Sequence, residues 1–176
     1  PQGNPHVQMN PHNIRRVAVA LGQRLAELDP DHAGEYATRT TAFLERWEAA
    51  IARWEERARP LAGSRVVCHH KSWIYLEDWL QLREVATLEP VPGIPPTAAH
   101  LSSLLAELGV DGSGADLIIR SPFQSAKASE WLQERTGIPA IVLPLTVGGT
   151  EAAQDLFSLF DDVLDRLLAA RGETQP

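Results

Sequence analysis

The chain has one cysteine, Cys68, in 176 residues. An intramolecular disulfide is therefore impossible, and a structural zinc site built on several thiolates is excluded. Basic residues are also few: 16 Lys and Arg against 23 Asp and Glu, a net charge of −7. No basic stripe runs along any segment, so a phosphate-backbone surface is absent and nucleic acid is not an expected partner. No apolar run approaches the roughly 20 residues that span a bilayer. The start carries no signal-peptide pattern and no initiating Met, so the chain reads as a processed form or a fragment. There is no Gly-x-Ser-x-Gly elbow for a nucleophilic serine and no His-Glu-x-x-His pair on a helix.

What remains is a globular composition, 44% hydrophobic, in a chain long enough for one ordinary domain or for one domain and part of another. Asn10-Pro11 reads as the N-cap and first position of a helix, because the missing proline N–H costs nothing there. Ile14, Val17, Ala18, Leu21, Leu25 and Leu28 give it one apolar face, and Asp29-Pro30 stops it. A second helix is predicted from about Pro30 to Ala58, with Tyr36, Thr40, Phe43, Trp47, Ile51 and Trp54 on one side. At about 1.5 Å per residue it runs roughly 40 Å, long enough to bridge two lobes.

After Pro60 and Gly63 the pattern changes to short apolar runs alternating with helical ones. Strands are predicted at Arg65–Cys68, Glu84–Leu88, Asp116–Ile119 and Ile138–Leu143. Helices are predicted at Ser72–Gln81, from Thr97 to Gly109, from Ser125 to near Gly137, and from about Thr150 to Ala170. The alternation makes the fold α/β: a parallel four-stranded sheet with flanking helices, preceded by the long helix. In such sheets ligands bind beyond the carboxyl ends of the strands.

His69 and His70 fall at one such end, after Val66-Val67-Cys68. Neutral imidazole is the commonest protein metal ligand. Strand alternation sends adjacent side chains to opposite faces, so one of the two, His70, is expected to face the site. His70 is then either a metal ligand or a histidine that bonds backbone at a helix start. His6, in Asn4-Pro5-His6-Val7, is either a second ligand or an ordinary loop histidine. His12 and His32 sit in first helical turns, and His100 can fix its loop by hydrogen bonding. Cys68 reads as a small buried apolar group. Gly148-Gly149-Thr150 is either an anion cradle or a plain turn. Glu89 and Glu151 are carboxylates of the same rim, either completing a coordination sphere or solvating the edge. The loops Pro90-Val91-Pro92-Gly93 to Pro96 and Ser121-Pro122-Phe123-Gln124 follow strand ends and can line a cleft.

The ordered set Asn4-Pro5-His6-Val7 through Asn10-Pro11, Leu28-Asp29-Pro30, His70-Lys71-Ser72-Trp73-Ile74-Tyr75, Pro96-Thr97-Ala98-Ala99-His100-Leu101 and Ser121-Pro122-Phe123-Gln124 resembles the metal-binding solute-binding proteins of bacterial ABC transporters that import zinc or manganese. The resemblance covers nearly the whole chain. It implies two α/β lobes joined by one long helix, with the ion in the cleft between them. On that mapping residues 1–28 are the tail of the first lobe, 29–62 the inter-lobe helix and 63–176 the second lobe. It also implies that His6 and His70 are the second and third ion ligands, and that a first ligand lies upstream of Pro1. Histidine at position 70 favours zinc over manganese, whose sites are richer in oxygen. The family's usual late aspartate has no counterpart here, since Val142-Leu143-Pro144-Leu145 is apolar. That role is left to water, to Glu151 from a shifted loop, or to nothing. The implied protein is no enzyme but a periplasmic or extracytoplasmic carrier, peripheral to the membrane, that hands a divalent ion to a transporter permease. Two readings from other classes stand beside it: a metal-dependent hydrolase, which needs a general base near the ion, and an α/β interaction module with no ligand.

Overall fold

The computed structural model describes residues 3–173. Asn10 caps α1 (Pro11–Leu28) by accepting the His12 backbone N–H, as its sequence predicts. A short turn over Pro30–His32 leads into α2 (Ala33–Ala58). The two helices run antiparallel: Arg15 meets Glu48, His12 meets Glu55, and Trp47 donates its indole N–H to the Pro11 carbonyl at 2.8 Å. They approach closely at Gly22, where a Cβ would lie 2.2 Å from Thr40 Oγ1. The apolar face of α2 is buried only toward its C-terminal end, at Trp47, Ala50, Ile51, Trp54 and Ala58. Nearer the N-terminus, Tyr36, Thr40 and Phe43 are half-buried against α1, whose Val17 and Leu21 remain 50% and 55% exposed.

The four expected strands form one sheet in the order β2-β1-β3-β4, every pairing parallel: β1 (Arg65–Cys68), β2 (Arg83–Thr87), β3 (Leu117–Arg120) and β4 (Ala140–Val142). Between them lie α3 (Ile74–Leu80), α4 (Ala98–Leu108) and α5 (Lys127–Thr136). Alternate strand residues divide two cores. Val66, Cys68, Leu117 and Ile119 face α2, α3 and the last helix, α6 (Leu156–Glu173). Val67 and Ile118 face α4 and α5. This is the period-2 pattern of a sheet covered on both sides. The first crossover steps from β1 outward to β2 and puts α3 on one face. The next two step the other way and put α4 and α5 on the opposite face, as crossovers of a single hand require. The reversal falls between β1 and β3, so a crevice opens at their carboxyl ends.

The larger core is aromatic. Trp47 sits between Trp54, Phe157 and Phe160, with ring centroids 5.1, 4.9 and 5.6 Å away, all edge to face. Such pairs add to the burial of their area.

Several boundaries differ from the sequence reading: α2 begins at Ala33, β2 and β3 are displaced by one residue, and β4 is confined to Ala140–Val142. Two further helix starts differ as well. The last helix begins at Leu156, not near Thr150. Gly148 takes φ +79°, and a turn bonded from Gly148 N to the Ala153 carbonyl occupies that stretch. Helix formation waits for Asp155 and Ser158, each of which accepts the other's backbone N–H (2.7 and 2.8 Å), a reciprocal cap. The β1–α3 connection is also longer than expected, with helix starting at Ile74 instead of Ser72.

Candidate metal centre

β1 ends at Cys68, and the chain bends over residues 69 and 70. The strand rule that separates neighbouring side chains therefore stops applying one residue early. Both imidazoles line a cleft of about 790 Å³ at the switch point, which corrects the expectation that only His70 faces it. The loops expected to wall the cleft do so, through Gly93, Pro95, Pro96, Phe123 and Gln124.

His70 Nδ1 lies 2.6 Å from Glu89 Oε2. Glu89 follows β2 and is otherwise fixed by the Gly93 backbone N–H, 2.8 Å from the same oxygen. Burial alone would push the Glu89 carboxyl up. The hydrogen bonds from His70 and Gly93 are the main counterweight and hold the group below its usual range, so it is ionised. His69 is buried, and burial pushes its pKa down despite the pull of Glu89. Neutral, and 3.9 Å from Glu89 Oε1, it is a neighbour of that carboxylate and not an ion-pair partner.

His6 reaches the same place from the other end of the chain. The Asn4 side chain accepts the His6 backbone N–H at 2.9 Å and donates to the Lys71 carbonyl at 2.7 Å. The Tyr75 hydroxyl donates to the Asn4 carbonyl, and the Gln8 amide donates to the Leu145 carbonyl. These bonds seat residues 4–9 against the β1–α3 connection and the loop after β4. His6 is half-buried, and its pKa is lowered first by burial and then by the charge of His70. The two rings thus lie near enough to feel one another, although 64 positions separate them.

Two imidazoles with lone pairs available are a donor set that suits a borderline-soft divalent cation such as zinc. Among the described residues no third His, Cys, Asp or Glu joins His6 and His70 in a group of three ligand atoms within 4.8 Å of one another. Glu151 is exposed and does not line the cleft, and Leu143 and Leu145 are buried in the core. The one such trio among the described residues is Cys68, Glu77 and Glu84. Burial pushes all three pKa values up, and the Cys68 thiol donates to Glu77 at 3.4 Å.

The other histidines are accounted for locally. His12 pairs with Glu55, His32 with Asp29, and His100 bonds the Thr87 carbonyl at 3.0 Å, fixing the end of β2. Thr150 spends its hydroxyl on Asp162, so the Gly148-Gly149-Thr150 stretch is a turn and no anion cradle. The sequence reading missed Asn4, Gln8 and Tyr75 as supports. The available signal was Asn4 two residues before His6, the spacing of an Asx turn.

The family profile described as "Zinc-uptake complex component A periplasmic" matches residues 2–170. The chain is similar to the high-affinity zinc uptake system protein ZnuA of Brucella abortus, 22% identical over 99 residues, which are 56% of this chain and 30% of that protein. It is also similar to ZnuA of Paracoccus denitrificans, 24% identical over 110 residues, 62% of this chain and 34% of that one. A crystal structure of ZnuA superposes with a TM-score of 0.81 at 25% identity, covering 96% of this chain and 60% of that one. The Pseudomonas aeruginosa solute-binding protein FpvC, solved with Mn2+, shares the fold at a TM-score of 0.76 and 22% identity, covering 98% and 64%. The chain thus spans less than two thirds of each of these proteins.

Proposed function

The chain belongs to the family of the periplasmic component A of zinc-uptake complexes, and on that premise we propose that it is the ion-holding part of an extracytoplasmic carrier that loads an ABC importer with zinc. The family is one of metal-binding transport proteins and not of enzymes. The reading is supported by the nearness of His6 to His70, which lines the switch-point cleft and is backed by the Glu89 carboxylate.

In this reading His6 and His70 each give one ring nitrogen to the ion, and the remaining donors come from a first lobe that extends beyond these residues. Residues 1–28 are then the tail of that lobe, 29–62 the linking helix and 63–176 the second lobe. The exposed Val17, Leu21 and Leu28 on α1 suit a surface that the rest of such a lobe covers. Imidazole donors favour zinc over manganese, though the fold also serves proteins solved with Mn2+ and Ni2+. Delivery to a permease calls for a protein in the periplasm or otherwise outside the cytoplasmic membrane; among the described residues no helix is long and apolar enough to cross a bilayer.

Titration of the intact protein with zinc against a competing chelator tests this. One equivalent should bind, and His70→Ala should lower the affinity at least about tenfold. Unchanged zinc binding by the His6→Ala/His70→Ala double variant overturns the assignment.

A further inference from the structure

We infer that Glu89 is a positioning residue that locks the His70 ring in the Nδ1–H tautomer and so keeps Nε2 open as the donor to an incoming cation. Its use rests on the carrier reading above; the tautomer itself is a property of the ion-free protein.

An ionised carboxylate can only accept, so the 2.6 Å contact to His70 Nδ1 places the proton of a neutral ring on that nitrogen. A free neutral imidazole side chain prefers to carry its proton on Nε2. Without Glu89 the nitrogen that faces away from the loop would be blocked most of the time. The carboxylate also makes the far nitrogen a better base, as it does behind metal-bound histidines generally.

Glu89 is suited to this task because it is itself held. Thr87 Oγ1 donates to the Glu89 carbonyl at 3.0 Å, and the Glu89 backbone N–H donates to the His69 carbonyl at 3.1 Å. Gly93 N–H shares the very oxygen that receives His70. Gly93 sits at φ +83°, a conformation that any residue with a Cβ adopts only under strain. The loop after β2 is therefore shaped to aim one carboxylate at one ring, and sequence distance (19 residues) hides the pairing.

Long-range 15N–1H spectra of the ion-free intact protein at about pH 8, above the ordinary imidazole range, read the tautomer directly. His70 should show a protonated Nδ1 and a bare Nε2, and Glu89→Ala should shift the proton to Nε2. Zinc affinity should fall about 10- to 100-fold in Glu89→Ala, with part of it retained in Glu89→Gln, whose carbonyl can still accept. In a His70→Ala background, Glu89→Ala should add no further loss. An Nε2–H ring in the unaltered protein, or an equal loss with and without His70, overturns the role of Glu89 and leaves the carrier reading standing. An Nδ1–H ring in a protein that takes up no zinc overturns the carrier reading and leaves Glu89 as the residue that sets the ring.

Discussion

Trp54 donates its indole N–H to Asp161 Oδ1 at 2.8 Å, joining the long helix α2 to α6 across 107 positions of sequence. Arg57, one turn on, reaches Asp161 and Asp165 as well. The C-terminal half of α2 is thus bonded to the body that carries the sheet, while its N-terminal half packs mainly on α1, with Phe43 also meeting Phe157. Trp54→Ala should destabilise the intact protein by about 3–5 kcal/mol, the usual loss for a buried large aromatic. Trp54→Phe, which keeps one aromatic ring but loses the pyrrole portion and its N–H donor, should cost about 1–3 kcal/mol. Urea denaturation measures both. A Trp54→Phe variant as stable as the parent would show that the Asp161 bond contributes nothing.

Asn4 holds His6 by one atom and Lys71 by another. Asn4→Ala removes both bonds without touching either ring, and zinc affinity should drop about tenfold while the folded spectrum stays the same. Competition with a chelator decides it; full affinity in the variant would mean that His6 needs no such anchor.

Protons compete with a cation for imidazole. Zinc affinity should be level above about pH 7 and fall below about pH 6.5. Burial and the nearby His70 charge lower the His6 pKa, so its share of the fall comes at the acid end. His6→Ala should flatten that end of the profile. Calorimetric titrations across the range would contradict this if the slope were the same in both proteins.

Stability carries its own pH signature from Cys68, Glu77 and Glu84. Burial, and then the Glu84 charge, raise the Glu77 pKa above 4.5, and burial raises Glu84. Between pH 4.5 and the raised values the folded state binds more protons than the unfolded one, so these groups make stability decline as pH rises through that window. Glu77→Gln should remove part of this decline and leave the protein more stable at about pH 7 than the parent. Denaturation midpoints at about pH 5 and pH 7 test the sign; a variant that loses stability at pH 7 refutes it.

The elements were legible in the sequence wherever periodicity and caps agreed. Asn10-Pro11 and Thr97 start their helices where expected, and the four apolar runs are the four strands. Strand order was not legible, because period 2 fixes which face a residue takes and says nothing of which strand lies beside it. The start of α6 was misplaced because Thr150 looks like a cap, whereas the reciprocal Asp155–Ser158 pair does the capping. At the cleft, His6 and His70 stood out as residue types in short conspicuous segments. Glu89 was visible only as an acid on a rim, because its bond to His70 depends on β1 and β2 lying side by side.

The bonds from Asn4, Gln8 and Tyr75 have a kinetic corollary. They rivet the strip bearing His6 to the same solid piece that bears His70. The placement of these two imidazoles relative to one another is thereby set when the polypeptide folds. On the carrier reading proposed above, an incoming cation would meet two imidazoles already in place.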